Sequence, residues 1–307
     1  MNRLDGNTVR PSTWTELQEA LYEDTWDPSL NRFRSAYVYR GVSRAYDGLP
    51  TSLIRLGGDT PAIEKHLLRN FMKYAHRSVV ERHSIWYWLS VAQHHGLPTR
   101  LLDWSNSPLV GLHFATEKMD AMEEDGLVWC VQVPGVHAEA PELLRRLLAL
   151  EGAYIFTADM LSGLHRASPG AAQAEGSPGA AEAERSASWT GELPIESLAL
   201  FDALREEPFA VFFEPPSLDD RIVNQFALFS VLSDPRVGMD SWLAQRPGLV
   251  RRIVVPASLK WEARDKLDQA NITERVLMPG LDGLSKWLTR HYTPRPGPTG
   301  PGSGGKR

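Results

Sequence analysis

The sequence predicts an α+β fold, a mixed central β-sheet flanked by helices. Three observations carry that prediction. Helical patterns gather early in the chain, runs rich in β-branched and aromatic residues spread across its middle, and 42% of the 307 residues are hydrophobic, enough to bury a sizeable core. A single domain over 1–292 is expected, interrupted at about 167–190 by a small, polar, Gly/Pro-rich disordered insertion and followed by a similar tail at 293–307. Neither segment offers the apolar surface that would offset the entropy of ordering it. The formal net charge of −5 argues against a protein that coats duplex nucleic acid, because that binding is driven by phosphate neutralisation. The one cysteine, Cys130, excludes an internal disulfide framework and a cysteine-built zinc cage. The N-terminus lacks the apolar core of a signal peptide, and no run approaches the ~20 apolar residues that span a bilayer. A cytoplasmic protein that does not enter the membrane is expected.

Each element has its own warrant. Ser12 or Thr13 caps a helix over 14–23, with acidic residues in its first turns. Residues 36–42 (AYVYRGV) read as a short strand with a glycine near its end. Pro61 opens an amphipathic helix with Ile63, Leu67, Phe71 and Tyr74 at helical spacing. Residues 84–95 (SIWYWLSVAQHH) are apolar on most sides and mark a central helix, ended by Gly96 in a left-handed closing position and by Pro98. A helix restarts at 107–119 with Ser107 as N-cap and Pro108 in the first position. Strands with buried faces follow at 127–133, 210–214, 226–232 and 251–256, then a helix at 258–270, a short strand near 273–278 (TERVLM) and a final helix at 280–288.

The chemistry concentrates in three places. In 93–105 (QHHGLPTRLLDWS), Gln93, His94, Arg100, Asp103 and Trp104 lie on either side of a bend whose flanks are apolar enough to be buried. Buried polar groups without partners cost about 1–3 kcal/mol each. Either Arg100 pairs with Asp103 and staples the turn, or these side chains serve a ligand. Arg40, inside a strand that otherwise reads as core, needs a carboxylate, a carbonyl or an anionic ligand unless it reaches solvent from an edge, and Gly41 beside it permits close backbone approach. In 219–229 (DDRIVNQFALF), Arg221 and Gln225 share a face if a helical turn enters a strand there. Other chemistries find less support. His66, His76 and His83 lack a zinc spacing, and adjacent His94 and His95 diverge by ~100° on a helix. There is no Gly-rich phosphate loop and no G-x-S-x-G elbow, and Ser105 is not expected on the strand-to-helix turn that the elbow uses.

In chain order, YRG at 39–41, QHHGLPTRLLDWSNSPLVGLHFA at 93–115, RIVNQFALF at 221–229 and ITERVLMPGLDGLSKWL at 272–288 resemble the FRG-domain family, named for its (F/Y)RG motif. A looser resemblance is to ADP-ribosyltransferases of the Arg-Ser-Glu type. VYRG at 38–41 is similar to their first motif and WSNSPLVGLHFA at 104–115 to their second. The third departs: Gln225 and Glu214 are the nearest counterparts, and neither sits in an E-x-E or Q-x-E arrangement.

This resemblance implies an ADP-ribosyltransferase-like fold, a nucleotide-binding cleft, NAD as cofactor, and ADP-ribosyl transfer or NAD cleavage. Arg40, Asp103, Ser105 and Gln225 become the catalytic candidates, and Tyr39, Gly41, His94, Arg100, Trp104 and Arg221 the cofactor-binding ones. Arg40 would grip the pyrophosphate, Gly41 would leave room for the nicotinamide amide, Trp104 would stack on a ring, and Asp103 or Glu214 would stabilise oxocarbenium charge. The rival reading is a non-catalytic module for a nucleotide, a nucleic-acid end or a protein ligand, with Arg40, Arg100 and Arg221 as anion contacts. A purely structural role would require carboxylates to staple all three arginines. The functional readings expect Arg40, Arg100, Asp103 and Gln225 to converge in one pocket.

Overall fold

The computed structural model describes residues 2–75, 84–165, 194–217 and 220–295. The expected insertion at 167–190, the tail from 296, His76 and His83 lie outside the described residues. The chain opens with β1 (Asn2–Arg3) and β2 (Thr8–Arg10), then α1 (Trp14–Tyr22), which starts where Thr13 Oγ1 accepts from the Glu16 N–H at 3.2 Å. A separate hairpin of β3 (Trp26–Asp27) and β4 (Arg32–Phe33) precedes β5 (Tyr37–Val42). Three helices follow: α2 (Ser52–Leu56), α3 (Thr60–Ala75) and α4 (Ile85–His94). The last is buried along most of its length and closes at Gly96, whose φ of +78° is the left-handed conformation glycine adopts at low cost.

The bend after α4 holds more structure than its sequence pattern suggests. Residues 102–105, expected as part of a turn between helices, form β6 (Leu102–Ser105), and α5 (Pro108–Ala115) begins after two intervening residues under the Ser107 cap. Next come β7 (Gly126–Gln132), α6 (Val133–Ala138), α7 (Glu142–Glu151), β8 (Phe156–Thr157) and α8 (Ala158–Ser162). The remainder is α9 (Pro194–Asp202), β9 (Ala210–Glu214), α10 (Asp220–Asn224), β10 (Ala227–Leu232), α11 (Met239–Ala244), β11 (Val250–Val255), α12 (Ala257–Gln269), α13 (Glu274–Leu277) and α14 (Leu281–Tyr292). The expected strand at 273–278 is the helical turn α13. Thr273 Oγ1 caps it by accepting from the Val276 N–H, and its buried Glu274 accepts from Arg264 Nη2 and Arg290 Nε, both at 2.7 Å. Those two contacts fix a helical geometry that the β-branched pattern alone would not choose.

The fold is α+β, built on a mixed sheet of order β1-β2-β11-β7-β5-β6-β10-β9-β8. Its parallel pairs are β2 with β11 and β8 with β9. One joint differs from the rest. β5 meets β7 over six register pairs and β6 meets β10 over four, but β5 meets β6 at the single pair Tyr39–Ser105. The ladder therefore opens beside that pair. On one face a continuous core runs under the joint, from Val38 through Leu102 and Trp104 to Phe212 and Leu228. On the other face two cores flank it. α1, α5 and α12 bury Tyr39, Val128 and Ile253, whereas α3, α4 and α9 bury Phe213, Phe229 and Val231.

Candidate functional site

Arg40 stands at the open joint. Strand alternation starts its side chain on the face of Val38, and its guanidinium reaches β6, where Nη1 donates to the Asp103 carbonyl oxygen at 2.5 Å. The Asp103 carboxylate lies farther from the same nitrogen, at 3.8 Å, and Arg40 Nε is buried with no hydrogen-bond partner among the described residues. The side chain is 23% exposed. Burial pulls the guanidinium below its ordinary pKa range, Asp103 opposes that shift, and the nearby Arg55 on α2 adds to it. Arg40 and the Asp103 carboxylate thus share the mouth of the joint, within electrostatic reach of a second cation, Arg55.

A polar chain behind this mouth fixes Asp103. Gln93, on the last turn of α4, donates from Nε2 to Asp103 Oδ2 at 2.8 Å and accepts from Thr99 Oγ1 at 2.5 Å. The Thr99 N–H donates to Ser52 Oγ at 3.1 Å, and its carbonyl accepts from the Leu53 N–H, also at 3.1 Å, so the start of α2 is tied in as well. Asp103 itself is 54% exposed, a carboxylate held in place but open to solvent.

The structure groups the remaining candidates differently from the expectation of one shared pocket. Arg40 and Asp103 meet, and Ser105 meets Gln225, but Arg100 is placed elsewhere. It is 4% exposed, donates from Nε to both Glu64 oxygens at 2.8 and 2.9 Å, and donates from Nη1 to Asp202 at 2.6 Å. Burial opposes its charge, yet Glu64 and Asp202 hold it protonated above the usual range. Neither the expected convergence nor the Arg100–Asp103 staple is what the turn uses. The reason is connectivity: β6 turns Asp103 toward Arg40, while Arg100, just before the strand, faces α3 and α9. Arg221 is exposed on α10. His94 is half-buried, with its ring 5.0 Å from that of His95.

Three assigned roles also change. Trp104 is 3% exposed, with its Nε1 donating to Ser230 Oγ at 2.8 Å and its ring against Phe212, so it belongs to the core and offers no stacking face. Tyr39 is buried between α1 and α5, its hydroxyl against Ser35 Oγ at 2.8 Å and its pKa pushed up by burial to about 12. Gly41 leaves no room for a ligand. A Cβ there would stand 1.9 Å from the Gly111 carbonyl oxygen and 2.4 Å from the Ala115 nitrogen, so helix α5 fills the space.

Ser105 does lie on a strand-to-helix turn, contrary to expectation, but its hydroxyl is structurally engaged. It donates to the Gln225 carbonyl at 2.6 Å and accepts from the Ser107 N–H at 3.0 Å. The Gln225 side-chain amide donates to the Leu277 carbonyl, and Asn224 donates to Val276, both at 2.9 Å. Those two amides satisfy carbonyls at the C-terminal end of α13. Glu214 is exposed at the end of β9, with β10 between it and β6.

Sequence reasoning missed Arg55, although an arginine four residues after the capping Thr51 in TSLIR was a signal for a cation on a short helix. It also left Gln93 and Thr99 without roles. Two concavities lie away from the mouth. One, of about 340 Å³, is a groove between α3 and α9 over Glu64, Arg100 and Asp202; the other, of about 500 Å³, is lined by Trp261, Asp265, Arg290 and His291. Among the described residues no cluster of His, Cys, Asp and Glu is arranged to hold a metal ion, and no helix is long and apolar enough to cross a membrane.

No curated protein and no solved structure matches the chain. The FRG domain family model matches residues 35–124, a stretch that contains β5 with Arg40, Arg55, Gln93, Asp103 and all of α5.

Proposed function

We propose that the mouth beside Arg40 binds a nucleotide through its phosphate and that the domain acts as a non-catalytic recognition module. The observation that carries this reading is the incomplete pairing of Arg40. Arg251, Arg252 and Arg264 also bury an unpartnered Nε, but each makes a close hydrogen-bonded pair with a carboxylate at 2.7–3.0 Å. Arg40 instead spends its hydrogen bond on a neutral carbonyl and meets a carboxylate only at 3.8 Å. A guanidinium presenting spare donors within electrostatic reach of a second cation, Arg55, suits a phosphate, which accepts bidentate bonds and compensates both charges.

A second reading, NAD-dependent ADP-ribosyl transfer or NAD cleavage, is favoured by one observation: the exposed Asp103 carboxylate is clamped by Gln93 beside Arg40. Breaking the bond between the nicotinamide nitrogen and the ribose develops oxocarbenium charge, which a fixed carboxylate stabilises. The third-motif counterparts support this reading less. The Gln225 amide is committed to Leu277, and Glu214 sits beyond β10. Calorimetric titration with NAD, ADP and GTP, followed by chromatography for released nicotinamide, separates the two. Heat without release selects the recognition module, release selects the enzyme, and no heat from any of them rejects the nucleotide site.

A further inference from the structure

Among the described residues four non-glycine positions have positive φ: Asp24, Asn31, Asn271 and Phe226. Asp and Asn tolerate the left-handed region because a short polar side chain can bond locally there, whereas a bulky aromatic is an outlier. Phe226, at φ +48°, receives little burial in return, since the residue is 60% exposed. Its backbone is held firmly. The Phe226 N–H donates to the Val223 carbonyl and its own carbonyl accepts from the Asn106 N–H, both at 3.1 Å, while the preceding Gln225 is locked to Ser105 and Leu277. The turn from α10 into β10 thus needs the left-handed conformation. It does not need a phenyl group, which glycine or asparagine would replace at lower cost. Strain of this kind persists where the surroundings over-determine it, and it collects at ligand sites.

The position of Phe226 gives the ring a use. It immediately precedes Ala227, the register partner of Ser105, and Ser105 in turn pairs with Tyr39, the neighbour of Arg40. Asn106, bonded to the Phe226 carbonyl, directly follows Ser105, the last residue of the strand whose Asp103 carbonyl holds Arg40. We infer that Phe226 is the stacking platform for the planar base of the ligand whose phosphate Arg40 holds, the role that buried Trp104 does not fill. This inference rests on the nucleotide reading above and names the side chain that holds the base.

The test uses the full chain and three probes: ADP and NAD, which carry a base, and ribose 5-phosphate, which carries none. Phe226→Asn keeps a residue that tolerates the left-handed region, so it removes the ring without endangering the turn, and Phe226→Trp keeps a stacking face. The expected result is that the asparagine variant loses about tenfold or more in affinity for ADP and NAD, that the tryptophan variant retains it, and that ribose 5-phosphate binds all three proteins alike. The asparagine variant should also melt a few degrees higher as strain is released. Unchanged ADP and NAD affinity in Phe226→Asn, or a parallel loss for ribose 5-phosphate, would overturn the stacking role while leaving the nucleotide site standing. A wild-type protein that binds none of the probes would overturn both.

Discussion

Arg40 and Arg100 look alike as sequence, two arginines in apolar surroundings, and the structure gives them opposite energetics. Arg100 is enclosed by Glu64 and Asp202, so Arg100→Ala strands a buried carboxylate and should destabilise the protein by about 3–5 kcal/mol, read as a large drop in the denaturation midpoint. Arg40 is partly exposed and bonded to a carbonyl, so Arg40→Ala should cost about 1 kcal/mol or less in the same measurement. The pair separates a structural cation from the one proposed to bind a ligand. The sequence could show that each needed a partner but not which partner, because Glu64 and Asp202 lie 36 and 102 residues from Arg100. Gly41 is a third case: the glycine was legible, its use was not. Gly41→Ala drives a Cβ into the α5 backbone, which cannot yield as a flexible side chain would, and should cost about 3 kcal/mol or prevent folding.

At the scale of elements, the long or strongly patterned segments were legible and the short ones were not. α1, α4, α5, β7, β9 and β11 fall where capping, periodicity and β-branched runs put them. β6 did not, because four residues with an aspartate and a serine carry no strand signal; partners on β10 and β5 make it a strand. The helix over Glu142–Glu151, whose leucines recur at helical spacing, was readable and was passed over.

Between elements the best-defined device is His137. Its Nε2 accepts from the Phe212 N–H of β9 at 2.8 Å, so Nδ1 carries the proton and donates to the Tyr154 carbonyl at 2.7 Å. Burial lowers the ring to about 4 from an ordinary 6.5. The unfolded chain therefore binds the proton first. The stability that the neutral ring contributes is complete above pH 6.5 and is lost as pH falls toward 4, on the order of 3 kcal/mol. Denaturant midpoints measured across that range should decline in the wild type and decline less in His137→Gln; equal slopes would remove His137 from the account.

At the scale of the molecule, the FRG match ends before the sheet is complete. Residues 35–124 contain β5 and β6, yet β5 takes its long ladder from β7 and β6 takes its ladder from β10. Asn106 and Ser105 are likewise tied to Phe226 and Gln225, and α13 receives the side chains of Asn224 and Gln225. A fragment of residues 1–125 exposes both unmatched edges and should show no cooperative unfolding transition, read by circular dichroism on heating. The α+β architecture was legible because it follows from the order of helical and extended patterns. The opening between β5 and β6 was not, since it depends on where one ladder stops.

That opening, with Arg40 at its mouth, is the centre of the account, and one comparison tests it most directly: calorimetric titration of ADP into the wild-type protein and into Arg40→Gln, with thermal unfolding of both recorded alongside. The account predicts binding by the wild type, at least tenfold weaker binding by the variant, and melting temperatures within a few degrees of each other. Equal isotherms for the two proteins, or a wild type that gives no heat, would contradict it.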